Sequence, residues 1–432
     1  MLAAHARLLP PSLALAPSLQ NEQRLASHIL GVTSPDNWHS SFLRAIAPAV
    51  DDVCATGSAA LIELQARTKD ADPDGLLAAL DLAQTGKEVL PVCRRLLRLP
   101  MTRGRAASTM ARSMSIAPDG RQLLSHQPEA HLDGLQELLK GAAYKALVDY
   151  QELVSQGGRG AQSKQITPDA TVHPLTSSTM HLLRRLMEFQ PTVDWLLATK
   201  PQLLAAGSTR EYARGVLRDH VHSLQSRAAH HVKDKCRAAV PHLFLLNNLH
   251  YITSNIRTGF NDQPTAARLQ QFVGDDLLRV WVHSSEVNKE TYFAKSWDQL
   301  LTFLDDPVER LQEQRGSKLL TLESGRVLKA KFEGFNNLLT QLHVVFCQCS
   351  VPDQGLRAQL VDEAASKVAP KFSHFYAQFS TVPFSKKNQA KYLRYTPDDV
   401  ERLLRDAYGG VTVAQVASPE HADDDSDDDE IS

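Results

Sequence analysis

Alternating apolar and polar residues, the mark of a half-buried strand, are almost absent from this 432-residue chain. Aromatic residues make up only 6% of it, which argues against a β-rich enzyme-like fold. No run of eighteen uncharged apolar residues occurs, so any membrane contact is expected to be peripheral. The five cysteines, Cys54, Cys93, Cys236, Cys347 and Cys349, are odd in number and irregular in spacing. That pattern excludes a secreted disulfide framework and points to a reducing, cytosolic setting. The apolar start, MLAAHARLLPPSLALAPSLQ, is broken by Pro10, Pro11 and Pro17 and has no basic cluster before it, so it does not read as a secretory leader.

Reactive chemistry is equally scarce. The tetrapeptide TGKE at 85–88 lacks both the hydroxyl residue and the upstream glycine of a phosphate-binding loop. His343 precedes Cys347 by one helical turn and Cys349 follows, but no distant ligand pair completes a recognised zinc spacing. Buried cysteines on an apolar helix face are the better reading. His220, His222, His230 and His231 fall on different faces of one helical stretch and read as surface histidines. No nucleophile signature is present. Neither an enzyme nor a cofactor is expected, and no metal site.

What the chain does have is a strong charge asymmetry. Its formal net charge is −2, yet the last thirteen residues, EHADDDSDDDEIS, hold eight acidic side chains and no Lys or Arg. The remainder therefore carries +6 and suits contact with an anionic surface. From about Val411 the mutually repelling carboxylates predict a disordered tail. Within it Ser426 has acid at the third position after it, a pattern suited to acidophilic kinases.

Helical periodicity fills most of the rest. In residues 133–154, Leu135, Leu138, Leu139, Ala142, Ala143, Ala146, Leu147 and Tyr150 share a face, with Asp133 and Gln136 placed as a capping box. Leu182, Leu183, Leu186 and Met187 repeat the pattern after TVHPLT, and Trp297, Leu300, Leu301 and Leu304 do so before Pro307. In TPDDVERLLRDAYGG, Thr396 is an N-cap, Pro397 suits the first turn, and Asp398 and Asp399 favour the positive end of the helix dipole. Val400, Leu403, Leu404 and Ala407 are its buried stripe, with Gly409 and Gly410 as the stop. The fold class is all-α, a series of stacked helical bundles. Polar breaks are expected at 156–170, 314–325 and 350–355. They divide the chain into an N-terminal segment (1–24), bundles at 25–160, 161–334 and 335–410, and the acidic tail (411–432).

Several stretches carry a resemblance. PDATVHPLTSSTMHLLRRLMEF (168–189), AAVPHLFLLNNLHYI (238–252), KSWDQLLTFL (295–304) and LKAKFEGFNNLL (328–339) resemble, in the same order, segments of the 70-kDa subunit of the exocyst, exocyst complex component 7. FYAQFSTVPFSKKNQAKYLRYTPDDVERLL (375–404) is similar to that family's C-terminal signature. The resemblance implies an elongated rod of consecutive antiparallel helical bundles without enzymatic activity. It implies a subunit that tethers secretory vesicles, found in the cytoplasm and on the cytoplasmic face of the plasma membrane at sites of secretion. Other exocyst subunits, phosphatidylinositol 4,5-bisphosphate membranes and Rho-type small GTPases are its implied partners. Against the family's pattern, the long N-terminal coiled coil is expected to be missing from this chain and the acidic tail to be additional. A soluble helical adaptor or GTPase effector outside the complex is the alternative. Asn247, Asn248, Pro241 and His173 in the matching stretches read as packing and hydrogen-bonding residues.

The sharpest candidate site is basic. From Ala364 to Pro397 there are six Lys or Arg and no Asp or Glu. Lys386, Lys387, Lys391 and Arg394 lie in TVPFSKKNQAKYLRY. If 386–395 is helical, Lys387, Lys391 and Arg394 share a face and Tyr392 and Tyr395 pack inward. The resemblance places Lys391 and Arg394 at the lipid-contacting positions, where arginine can bind phosphate bidentately. Lys367 and Lys371 are weaker candidates, as are Arg326, Lys329 and Lys331. No nucleic-acid partner is expected, since the body is only mildly basic and no recognised module occurs.

Overall fold

The computed structural model describes residues 52–63, 73–97, 128–158, 165–199, 206–230, 237–305, 320–385 and 388–408. Expectations for the N-terminal segment, Cys236, His231, Pro307, Lys386, Lys387, Gly409, Gly410, Ser426 and the acidic tail lie outside them. Among the described residues the fold is all-α, without a β-strand. It divides into two compact units, one holding the described residues up to Val154 and His181–Val216, the other Ser155–Met180 and those from Leu217 on. The expected boundary between residues 334 and 335 falls inside a continuous helix, Leu322–Cys347.

In the first unit, α1 (52–63), α2 (Pro73–Leu97) and α3 (Pro128–Ser155) meet over Leu61, Leu90, Cys93, Leu132, Leu135 and Leu139. Helix α3 begins five residues before the expected start. Asp133 is therefore no cap; with Gln136 it accepts hydrogen bonds from the Arg94 guanidinium, at 2.6 and 2.7 Å. Leu138 is also misplaced by the sequence reading, being 55% exposed. The buried line follows Leu135, Leu139, Ala143 and Leu147, four residues apart, and turns Leu138 toward solvent.

Helices α4 (Pro174–Leu186), α5 (Gln190–Thr199) and α6 (Thr209–His230) follow. Leu182, Leu183, Leu186 and Met187 are buried as expected. Asp194 accepts from both the backbone N–H and the hydroxyl of Thr209, which ties α5 to the start of α6 within the first unit.

The second unit is built on α7 (Val240–Thr258), α8 (Gln263–Val273), α9 (Asp275–Ala294), α10 (Asp298–Leu304), α11 (Leu322–Cys347), α12 (Gln354–Phe379), the single turn α13 (Gln389–Tyr392) and α14 (Pro397–Arg405). Helix α7 packs along α8 and α9, while α10 lies against α11 and α12. The expected break at 314–325 is shorter than the pattern suggested, because Thr321 caps α11 and residues 322–325 are already helical. Asp353 caps α12 by accepting from Leu356 N–H at 2.7 Å, a bond that holds its carboxyl below the usual range. Gly259 ends α7 at φ +60°, and a Cβ there would meet the Ala266 nitrogen at 2.2 Å, so the tight α7–α8 turn requires glycine.

Polar residues on the apolar face of α7 explain the matching motifs. Asn248 Oδ1 accepts from His173 N–H (2.9 Å) and from the Thr176 hydroxyl (2.6 Å), and its amide donates to Phe244 O. Asn247 donates to Ala170 O and Ser350 O. The buried His220 lies 2.8 Å by Nε2 from the Thr176 hydroxyl. The surface reading of His220 is thus corrected, since its ring is fully buried against Thr176. His222 and His230 are exposed.

Candidate functional site

Helix α11 presents Phe332, Phe335, Leu339, Leu342 and Phe346 on one face at helical spacing, and all five are buried. Residues 380–385 and 388–396 are laid across its neighbourhood. Phe384 is the anchor: its ring stacks on Phe332 at 5.4 Å and meets Tyr392 edge-on at 6.1 Å. The backbone approaches so closely that a Cβ on Gly325 would sit 3.0 Å from Phe384 O. Gln389 then donates to Ser380 O and Val382 O, which closes the segment on itself. Asn336 donates to Tyr392 O at 2.8 Å, and the Thr340 and Tyr395 hydroxyls lie 2.9 Å apart. Thr396 and Asp399 complete a reciprocal capping box that starts α14, worth about 1 kcal/mol or more.

These contacts keep Tyr392 and Tyr395 half-buried, as expected, and leave the cations outside. The helical run is shorter than the spacing argument required. It covers only Gln389–Tyr392, and Leu393 leaves it at φ −86°, ψ 45°. Lys391 is on the turn, whereas Arg394 lies beyond it, so the two do not share one helix face. Both are nonetheless exposed, and neither makes an ion pair among the described residues. The Arg394 guanidinium rests 5.1 Å from the Tyr395 ring centroid, and Lys329 Nζ stands 5.7 Å over Tyr392.

The weaker candidates separate clearly. Lys371 and Arg326 are exposed. Lys331 donates to Asp305 O and lies over the Phe375 ring. Lys367 is committed to the fold: its ammonium reaches Glu363 at 3.1 Å and Asp298 at 3.7 Å, and stands 4.4 Å over Phe293. The sequence reading did not single out Asn336, which carries the segment's backbone. Its position within the Phe332–Leu339 stripe, a polar residue among apolar ones, was the available signal.

The His343, Cys347 and Cys349 constellation lies against the core. Cys347 and Cys349 are buried, the thiol of Cys349 pushed up to about 12 by burial. Cys347 Sγ lies 3.4 Å from His343 Nε2, but among the described residues no group of three or more His, Cys, Asp or Glu could hold a metal. Nor is any described helix long and apolar enough to cross a membrane.

Comparison with known proteins shows what the chain is similar to. Residues 12–406 match the family described as the C-terminal part of the exocyst complex subunit Exo70. The chain is 27% identical over 278 residues to exocyst complex component EXO70A3 of Arabidopsis thaliana, covering 64% of this chain and 44% of that protein. It is 25% identical over 281 residues to human exocyst complex component 7, covering 63% and 36% respectively. The chain thus spans less than half the length of these relatives. A crystal structure of Saccharomyces cerevisiae Exo70 aligns over 91% of this chain and 68% of its own, with a TM-score of 0.46 and 14% identity. With the family match running over most of the chain, from residue 12 to the last turn of α14, the protein belongs to the Exo70 C-terminal family of exocyst subunits.

Proposed function

We propose that this chain acts as an exocyst subunit in tethering secretory vesicles, and that it touches the plasma membrane through the surface around Lys391 and Arg394. Other exocyst subunits and Rho-type small GTPases are its protein partners, and phosphatidylinositol 4,5-bisphosphate is its lipid. Its role is to hold surfaces together, with no reaction to catalyse and no cofactor. The family match and the names of the relatives support membership of the complex.

One observation carries the membrane contact: two exposed cations without a carboxylate partner among the described residues, on a segment pinned to α11 by buried contacts. Each basic side chain near an anionic leaflet contributes about 1 kcal/mol, so Lys391 and Arg394, with Lys386, Lys387 and Lys371 of the same acid-free stretch, suffice for reversible binding. Pinning limits the side-chain and loop ordering that binding must otherwise impose.

The test is sedimentation with liposomes containing phosphatidylinositol 4,5-bisphosphate. Lys391→Ala with Arg394→Ala should weaken binding by about 2 kcal/mol at low salt, roughly thirtyfold, with helical circular dichroism unchanged. Equal sedimentation of the folded double variant and the parent would refute the assignment of this surface.

A further inference from the structure

We propose that the acidic run at residues 420–430 docks on the basic surface around Lys391 and Arg394 and competes there with anionic lipid. The competition rests on the lipid-binding role proposed for that surface; the docking does not.

Two independent observations meet here. The first is the distribution of ion pairs on the second unit. Lys289 and Lys367 are paired with Glu363, Arg402 with Asp399, and Arg405 with Glu401 and Asp362. These four carboxylates are thus already engaged, while Glu323, Glu333 and Asp398 make no ion pair among the described residues. Lys391, Arg394, Lys371 and Arg326 remain exposed with no ion pair among the described residues. The second is the sequence itself, in which eight acidic residues lie within 420–430 without a single Lys or Arg. This is charge complementarity within one chain, and α14 lies between its two halves.

Geometry allows the contact in any direction. Tyr408, the last described residue, is buried and fixed: its N–H donates to Phe346 O at 3.0 Å, and its hydroxyl accepts from Trp297 Nε1 at 3.0 Å. The path from Arg394 to Tyr408 is three residues, the nine-residue α14 and one turn, so the two are at most about 35 Å apart. Glu420 follows twelve residues after Tyr408, a reach of about 40 Å when extended. As a tethered segment the acidic run is present at an effective concentration on the order of 1 mM, which an acidic surface on another molecule rarely matches. Charge and tethering together therefore favour this chain's own tail as the occupant.

Zero-length carbodiimide cross-linking of the full chain reads the docking without any lipid. Carboxylates of 420–430 should join to Lys391, Lys371, Lys386 or Lys387, and not to Lys289 or Lys367, whose ammonium groups Glu363 already holds. The cross-links should fade at about 0.5 M salt, where screening acts within a few ångströms. No cross-links, or an even spread over both sets of lysines, would overturn the docking. Liposome sedimentation then reads the competition, comparing the full chain with a variant in which Asp423, Asp424, Asp425, Asp427, Asp428 and Asp429 are all changed to Asn. The variant should bind more tightly by one plus the ratio of effective concentration to peptide Kd. A fivefold gain corresponds to a Kd of about 0.25 mM for the separate 411–432 peptide. Unchanged affinity in a protein that does bind liposomes would overturn the competition. Cross-links in a protein that binds no liposomes would uphold the docking and remove the lipid reading instead.

Discussion

His220 should make the second unit acid-labile by a calculable amount. The Thr176 hydroxyl donates to Asn248 Oδ1, so its oxygen accepts from His220 Nε2–H. This assigns the neutral tautomer with its proton on Nε2. The other ring nitrogen, Nδ1, is buried and has no hydrogen-bond partner among the described residues. Protonating it would create a buried cation whose new N–H has no acceptor, near the Arg227 guanidinium and His173. Burial, then Arg227, then His173 accordingly push the His220 pKa down to about 3. In the unfolded chain the ring titrates near 6.5. Below that value the unfolded state binds a proton that the folded state does not, so stability falls as pH falls, from about 6.5 toward 3. At pH 5, about 1.5 pH units below the unfolded value, this one site has cost about 2 kcal/mol. His220→Gln keeps a donor for Thr176 and removes the titration. Urea unfolding at pH 7.5 and pH 5.0 should therefore show the parent losing about 2 kcal/mol more than the variant. Parallel losses in the two proteins would refute the reasoning, whatever their absolute stabilities.

Two further outcomes follow from the same kind of accounting for hydrogen bonds and charge. Trp297 Nε1 donates to both the Tyr292 and Tyr408 hydroxyls, which also bond each other, so Tyr408→Phe leaves the indole an acceptor but takes the buried Tyr292 hydroxyl's partner away, and should cost about 1–3 kcal/mol. Adding Tyr292→Phe removes that stranded hydroxyl and strands the buried indole N–H in its place, so the double variant should lose about 1 kcal/mol less than the sum of the singles in thermal unfolding; simple additivity would contradict this. Transfer of the γ-phosphoryl group of ATP to the Ser426 hydroxyl by an acidophilic kinase, with ADP leaving, adds about 1.5 to 2 negative charges to the tail. If the tail competes with lipid, the phosphorylated full chain should bind liposomes more weakly at low salt, and an unchanged sedimentation profile would exclude that regulation.

The helix class and most buried stripes are legible in the amino-acid sequence, because burying one face of a helix imposes a 3.6-residue period on apolar side chains. Leu182, Leu183, Leu186, Val400 and Leu404 are buried where the period puts them, and the Thr396–Asp399 cap is local enough to be read from neighbours alone. The basic strip is legible too, since charge composition needs no fold. Residues whose environment comes from distant segments are not. Asp133 has the local setting of a cap, but Arg94, thirty-nine residues earlier, claims it. His220 has the local setting of a surface residue, because its partner, Thr176, lies forty-four residues away. Lys367 has Glu363 one turn before it, a pair the sequence could show, but its contacts with Asp298 and the Phe293 ring are tertiary, and Lys391 is left exposed. Periodicity and charge are local properties that the chain carries by itself. The pairing of a particular charge or hydrogen-bonding group depends on which remote segment packs beside it, and only the tertiary structure decides that.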